Sequence, residues 1–414
     1  AVRKVNGTFW AAFFMWLFFA FLPEKRGFPG QMAKGRKVVY FVNVLKSGWI
    51  AQEVSLRGVI MSKKLNILYL LILSLLIILG ACGKQETSQP VEPEPMEPVE
   101  EVEEEPEPEE VVYPYIAPLT GLGTMEEIKD RIIAVMINNH NQARPQSGLD
   151  KADMVVEILA EGWITRLVAF YQSEDAEVIG PVRSLRPYLI DLATGFDAVF
   201  AHAGGSPEAL QIVRNRGLDS LDEIYTAGPY FYRVNFRRAP HNLYTSLEKL
   251  REGAKARGFR EESKIPTFTF KHPDELMSGE PANWIEIEYS SDYKVGYEYD
   301  PETMLYTRYV RGEPHIDMET EEPLRMSNVL VIETSHRVLD NEGRRAIDVT
   351  SKGKAYLFQR GKMQEVEWQN IDGVIKPVKD GQEIGWYPGK TWINVIPNSP
   401  GLENRVQYRL SKEE

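Results

Sequence analysis

Residues 83–112 cannot build a core, and this fixes where the folded body must begin. From Cys82 to Val112 the chain holds one lysine, Lys84, and twelve glutamates, many in runs such as Glu92-Pro93-Glu94-Pro95 and Glu103-Glu104-Glu105-Pro106-Glu107-Pro108. Prolines stiffen such a segment and like charges extend it, so 82–112 reads as an acidic spacer. Before it, residues 1–81 carry eleven Lys/Arg against two Asp/Glu. After it, residues 113–414 carry 36 basic and 46 acidic residues, within a whole-chain charge of −12. An acidic body argues against a nucleic-acid partner, because phosphate neutralisation needs a basic face. About 300 residues is enough for two cored domains. Cys82 is the single cysteine, so no intrachain disulfide can form.

Residues 61–81 read as a secretory signal. Met61-Ser62-Lys63-Lys64 is a short basic start, and Ile67 to Leu79 is an apolar run too short for a comfortable bilayer span. The run ends in Leu79-Gly80-Ala81-Cys82, which resembles the bacterial lipobox; cleavage there leaves Cys82 lipidated at a new N-terminus. The expected partner is then the cytoplasmic membrane, held through Cys82, with the body on the extracytoplasmic face. Residues 1–60 are expected to be translated upstream DNA from a mis-called start. The competing reading is a genuine two-span anchor that uses the apolar run Phe9 to Leu22.

Ile132 to Ile137 is a continuous apolar run that reads as a central strand, with Asn138, Asn139 and His140 at its end. Ala152 to Ala160, Thr165 to Tyr171 and Asp197 to His202 read as further strands. Asp153, Glu157 and Glu161 are spaced four apart, which places them on one face of a strand or a helix. Between the strands lies Gly180-Pro181-Val182-Arg183-Ser184-Leu185-Arg186-Pro187, a stiff turn with two arginines whose planar forks suit carboxylate or phosphate. The helix after it runs to about Thr194. Gly204-Gly205-Ser206-Pro207 follows His202 and opens another helix, with Ser206 as cap and backbone N–H groups an anion could meet. Arg237-Arg238-Ala239-Pro240-His241-Asn242 precedes a third, for which Thr245 to Glu248 reads as a capping box.

Past Pro266 the pattern changes to short strands separated by turns such as Arg360-Gly361-Lys362. The expected fold is therefore α+β: an N-terminal α/β sandwich domain with a mixed sheet over 113–265, and a β-rich C-terminal domain over 266–414. In such sheets sites gather where strands end. On that basis Asn138, Arg144, Glu161, Arg183, Arg186, His202, Gly204, Gly205, Ser206, Arg238, His241 and Asn242 form the candidate ligand-binding set. No His-Glu-x-x-His, cysteine metal site or Gly-x-Ser-x-Gly turn occurs, so no metal or cofactor is expected.

Taken together, Asn138-Asn139 with Arg144 to Gly148, the Glu161-Gly162 turn, Gly180 to Pro187, His202 to Pro207, Ala239 to Tyr244 and Pro388 to Ile393 resemble the YerB-like lipoproteins of Gram-positive bacteria. That resemblance implies a two-domain lipoprotein and supplies no reaction. A fainter similarity is to the LytR–CpsA–Psr phosphotransferases; their Pro-Arg-Asp-Thr turn is absent, and Val182-Arg183-Ser184 is the nearest element.

Three functions stay open at this point. The first is binding of an anionic envelope ligand (a lipid phosphate, a wall carboxylate or a wall phosphate) or regulation of envelope assembly. The second is an envelope phosphotransferase or hydrolase, with Arg183 and Arg186 stabilising charge and Asp153 or Glu161 as base or metal ligand. The third is a scaffold for envelope proteins, its arginines bracing carboxylates inside the fold.

Overall fold

The computed structural model describes residues 112–262, 264 and 266–412. The signal, Cys82 and residues 1–60 lie outside the described residues. The first half supplies β1 (Ile133–Asn138), β2 (Met154–Glu161), β3 (Ile164–Tyr171), α1 (Pro187–Thr194), β4 (Val199–His202), α2 (Pro207–Arg216), β5 (Ser220–Asp222) and α3 (Leu247–Ala256). The second half supplies β6 (Trp284–Ser290), β7 (Tyr293–Asp300), β8 (Leu305–Val310), β9 (Asn328–Thr334) and β10 (Lys352–Gln359). It ends with β11 (Lys362–Ile371), β12 (Val374–Lys379), β13 (Thr391–Pro397) and β14 (Val406–Arg409). The chain is a strand-rich α+β protein whose longer helices all lie in the first half. Among the described residues no helix is long and apolar enough to cross a membrane.

Twelve strands form one mixed sheet, in the order β12-β11-β10-β9-β13-β2-β3-β1-β4-β5, with Gln382–Glu383 outside β12 and Glu280–Pro281 against β11. β13 lies parallel to both β9 and β2, so the sheet is continuous across the two halves of the sequence. Its central strands are apolar runs, as burial on both faces demands: every residue of β1 and of β13 is buried. A second, antiparallel sheet runs Glu313–Pro314, β8, β7, β6, β14, and Arg325–Met326 also pairs with β8. It packs on the large sheet through tyrosines: the Tyr289 hydroxyl donates to the Glu157 carbonyl (3.3 Å) and the Tyr297 hydroxyl to Asn394 Oδ1 (3.1 Å).

Local rules set the helix starts. Ser206 accepts from the Ala209 N–H and Pro207 follows at the first helical position of α2. The third helix begins one residue later than a Thr245 capping box requires. Ser246 is its cap and accepts from Lys249, while the buried Thr245 hydroxyl donates to the Tyr230 carbonyl (2.8 Å). α1 ends at Gly195, where an added Cβ would lie 2.3 Å from the Gly373 backbone, so only glycine lets the helix meet the β11–β12 turn.

Candidate functional site

The arginine turn acts as a short strand laid across strand ends. The Asn138 N–H donates to the Pro181 carbonyl, Val182 to Leu243 and Arg183 to Met136. Leu185 then donates to Gly204, and Ser206 donates back to Leu185. The segment therefore crosses the carboxyl ends of β1 and β4 and sets Arg183 and Arg186 at that edge.

Glu161 reaches the same edge through a bulge. Opposite residues share a face of the sheet; Leu159 pairs with Thr165 and Ile158 with Arg166, but after a register shift Glu161 pairs with Ile164. The extra residue turns Glu161 onto the Arg166 face, away from Glu157, so the four-residue spacing does not keep the two carboxylates together. There Glu161 accepts from Arg166 (3.0 Å) and from Arg186, while Arg166 also donates to the Ser184 carbonyl (2.7 Å). Burial pushes the Glu161 carboxyl up, but Arg166, Arg186 and Arg183 outweigh it and hold the group below its usual range. The carboxylate is ionised and shared between two guanidinium groups. Arg183 differs from its neighbours in having no carboxylate within ion-pair distance among the described residues; a buried Nε with no hydrogen-bond partner it shares with Arg166 and Arg186.

Two imidazoles stand beside it. His140 and His241 stack with centroids 4.7 Å apart. Asn138 Oδ1 accepts the His140 N–H (3.1 Å), which orients the amide so that its Nδ2 donates to His241 Nδ1 (2.8 Å). His140 Nδ1 accepts from the Gln142 N–H (3.2 Å). In both rings the proton therefore sits on Nε2, where it can serve as a donor. Burial lowers both pKa values; Arg144 and Arg183 press further on His140, and His140, Arg183 and Arg237 on His241. The pair is neutral at pH 7.

The remaining members of the candidate set are placed as follows. His202 is fully buried and uses Nδ1 on the Gly204 carbonyl (2.8 Å) and Nε2 on Ser220 (2.7 Å). The Gly204 N–H donates to Asp222 (2.8 Å), and Ser206 is taken up by capping, so the Gly204-Gly205-Ser206 turn is largely closed by internal bonds. Arg238 is exposed. Asn242 accepts from Arg233 (3.1 Å). Arg237, the neighbour of Arg238, clamps the 143–145 loop by donating to the carbonyls of Ala143 (2.7 Å) and Pro145 (2.5 Å). Asp153 is sealed: it accepts the N–H groups of Gln172 (2.6 Å) and Ser173 (3.1 Å) and the Ser173 hydroxyl. Among the described residues no group of three or more His, Cys, Asp or Glu is arranged to hold a metal.

Behind this edge lies a buried network. Glu157 and Arg308, both 0% exposed, pair at 2.5 Å between the two sheets. Glu157 Oε1 also accepts from Asn139 (3.0 Å), Thr165 (2.8 Å) and Tyr293 (2.6 Å). Arg144 lies over the outer side of this network, its guanidinium 5.1 Å from the Tyr293 ring.

Two family models match the chain: the N-terminal domain of a protein family of unknown function (DUF3048) over residues 119–260, and the C-terminal domain of that family over 285–393. The chain is 41% identical over 286 residues to a Bacillus subtilis (strain 168) protein named "Putative lipoprotein YerB", covering 68% of this chain and 86% of that one. A crystal structure of the YerB protein from Bacillus subtilis matches with a TM-score of 0.65 and 39% identity, over 71% of this chain and 99% of the other. The chain belongs to the YerB-like family, whose N- and C-terminal domains are both of unknown function.

Proposed function

We propose that this protein is an extracytoplasmic lipoprotein, tethered through Cys82, whose folded body binds an anionic cell-envelope ligand at the strand-end edge. The tether is supported by the Leu79-Gly80-Ala81-Cys82 pattern behind a basic, apolar leader and by the name of the Bacillus relative. Binding rests on one observation: Arg183 is a half-buried guanidinium with no carboxylate partner, set beside two neutral imidazoles that offer Nε2–H donors. A half-buried cation gains most from an anion that replaces its lost hydration. A carboxylate or phosphate oxygen suits that fork equally.

The transferase reading draws no support from its intended carboxylates. Asp153 is enclosed by its own hydrogen bonds, and Glu161 is held ionised by Arg166 and Arg186.

Native mass spectrometry of the full chain in detergent, against phosphatidic acid and muropeptide fragments, tests the proposal. One charge-assisted hydrogen bond contributes about 1.5–3 kcal/mol, so Arg183→Ala is expected to weaken binding roughly 10- to 100-fold. Wild-type protein that binds neither probe, or a variant that binds both as well as wild type, would refute it.

A further inference from the structure

A second feature lies at the seam between the first-half loops and the small sheet. A cleft of about 500 Å³ opens between the loop after β1, the β2–β3 turn and the β6–β7 turn. Three guanidinium groups line it, from segments far apart in sequence: Arg144, Arg311 and Arg405. Every hydrogen bond they make goes to a neutral carbonyl. Arg144 donates to Asn139 (3.2 Å), Arg311 to Asp292 (3.1 Å), and Arg405 to Glu288 (2.8 Å) and Tyr289 (3.0 Å). None of the three has a carboxylate oxygen within ion-pair distance among the described residues, and the Arg405 Nε is buried without a partner.

The acidic groups nearby act on them only from beyond ion-pair distance, Glu157 on Arg144 and Glu288 on Arg405. Glu288 is bound to Lys294 (3.1 Å), and Glu157 lies beneath Asn139, Thr165 and Tyr293, paired with Arg308. Asp292 lines the cleft and meets Arg311 through its carbonyl. Burial lowers the Arg144 pKa, Arg308 and Arg311 press in the same direction, and Tyr293 and Glu157 oppose them. In a body with more acidic than basic residues, like charges gathered this way raise the local potential and concentrate anions. Trp163 forms one wall, half-exposed, with Arg405 5.5 Å and Arg345 5.0 Å from its ring. Ser290 and Ser291 add hydroxyls to the opposite rim. The volume suits a ligand of small-molecule size.

We infer that this seam cleft is a binding site for a polyoxyanion, a ligand carrying two or more phosphate or carboxylate groups, gripped jointly by Arg144, Arg311 and Arg405. Because the loop after β1 comes from the first half while Arg311 and Arg405 come from the second, the occupant would bridge both. The cleft adjoins the strand-end edge, and His140 lines it, but the inference does not need Arg183, which lies outside the cleft.

Isothermal titration of the full chain in detergent with pyrophosphate, and separately with citrate, tests it; the two arms tell phosphate from carboxylate preference. Wild type is expected to bind at least one of them. Arg311→Ala, at an exposed position, is expected to weaken binding about 10-fold, and Arg144→Ala/Arg311→Ala about 100-fold, with circular dichroism confirming that each variant is folded. Arg214→Ala, at an exposed position outside the cleft lining, is expected to bind as wild type. No binding of either anion, an undiminished affinity in Arg311→Ala, or an equal loss in Arg214→Ala would overturn the inference. Loss in Arg183→Ala alone would overturn it while leaving the strand-end proposal standing.

Discussion

Arg308→Ala is expected to lower the unfolding free energy by about 3–5 kcal/mol, the usual cost of leaving one partner of a buried ion pair alone. The geometry places it at the high end of single substitutions. Both partners are fully buried, and Glu157 sits between the two sheets with three neutral donors on Oε1 and Arg308 alone on Oε2 among its hydrogen-bond donors. Truncation removes the counter-charge, the donor to His315 and the packing of the guanidinium 4.5 Å from the Trp392 ring. The carboxylate must then protonate or draw in water. Urea unfolding followed by circular dichroism reads the change directly. Glu157→Leu/Arg308→Leu is expected to recover most of the loss, because an apolar pair avoids desolvating two ions. A fall below about 1 kcal/mol for the single variant would show that the pair is dispensable to the seam between the sheets.

That pair also marks the limit of what the sequence alone discloses. Glu157 is legible as a brace, since it sits in an apolar run beside candidate arginines. Its partner is not, because Arg308 is 151 residues away and pairing across two sheets leaves no local trace. A trace of another kind does exist. In β8 the buried phase is Tyr306, Arg308 and Val310, so an arginine occupies the apolar phase of a strand, which signals a buried charge with a partner. Arg311 and Arg405 carry no such signal; Arg311 follows the end of β8 and Arg405 closes the short helix Leu402–Arg405, ordinary places for an arginine.

Elements with strong local grammar read well. The Pro-rich arginine turn, the Ser206 cap and the apolar runs of β1 and β3 all follow from short-range rules. The Glu161 bulge does not. Spacing alone puts Glu161 on the Glu157 face, and only the register against β3 shows the shift that sends it to Arg166. One inserted residue thus separates two carboxylates into two jobs: one closes the seam between the sheets, the other neutralises Arg166 and Arg186 and leaves Arg183 without a partner.

Stability is expected to fall with acid below about pH 6.5, and His315 is expected to supply a large part of the slope. His315 is buried, with Nδ1 accepting from Arg308 (2.5 Å) and Nε2 facing Gln146 Oε1 (2.8 Å). The Gln146 amide is oriented in turn by donating to the Asn138 carbonyl (3.0 Å) and Asn139 Oδ1 (2.9 Å). This chain fixes the neutral Nε2–H tautomer and leaves no place for a second proton. Burial, then Arg308 and Arg144, hold the pKa well below the usual histidine range. In the unfolded chain His315 takes up a proton as pH drops through about 6.5, and in the folded chain it does not, so the unfolded state gains about 1.4 kcal/mol for each further pH unit. His202, lowered mainly by burial, acts in the same direction. Asp317 acts oppositely: burial raises its carboxyl to about 6, so the folded state binds its proton first and part of the loss is offset as pH falls from about 6 to 4. Urea midpoints of wild type and His315→Gln, measured between pH 7.5 and 5, separate these effects. The variant is expected to be less stable at pH 7.5 yet to lose stability more slowly, by about 1.4 kcal/mol per pH unit below 6.5. Asp317→Asn is expected to steepen the acid limb. Parallel curves for wild type and His315→Gln would mean that the folded protein admits the proton, and that the Arg308–His315–Gln146 chain rearranges to accept it.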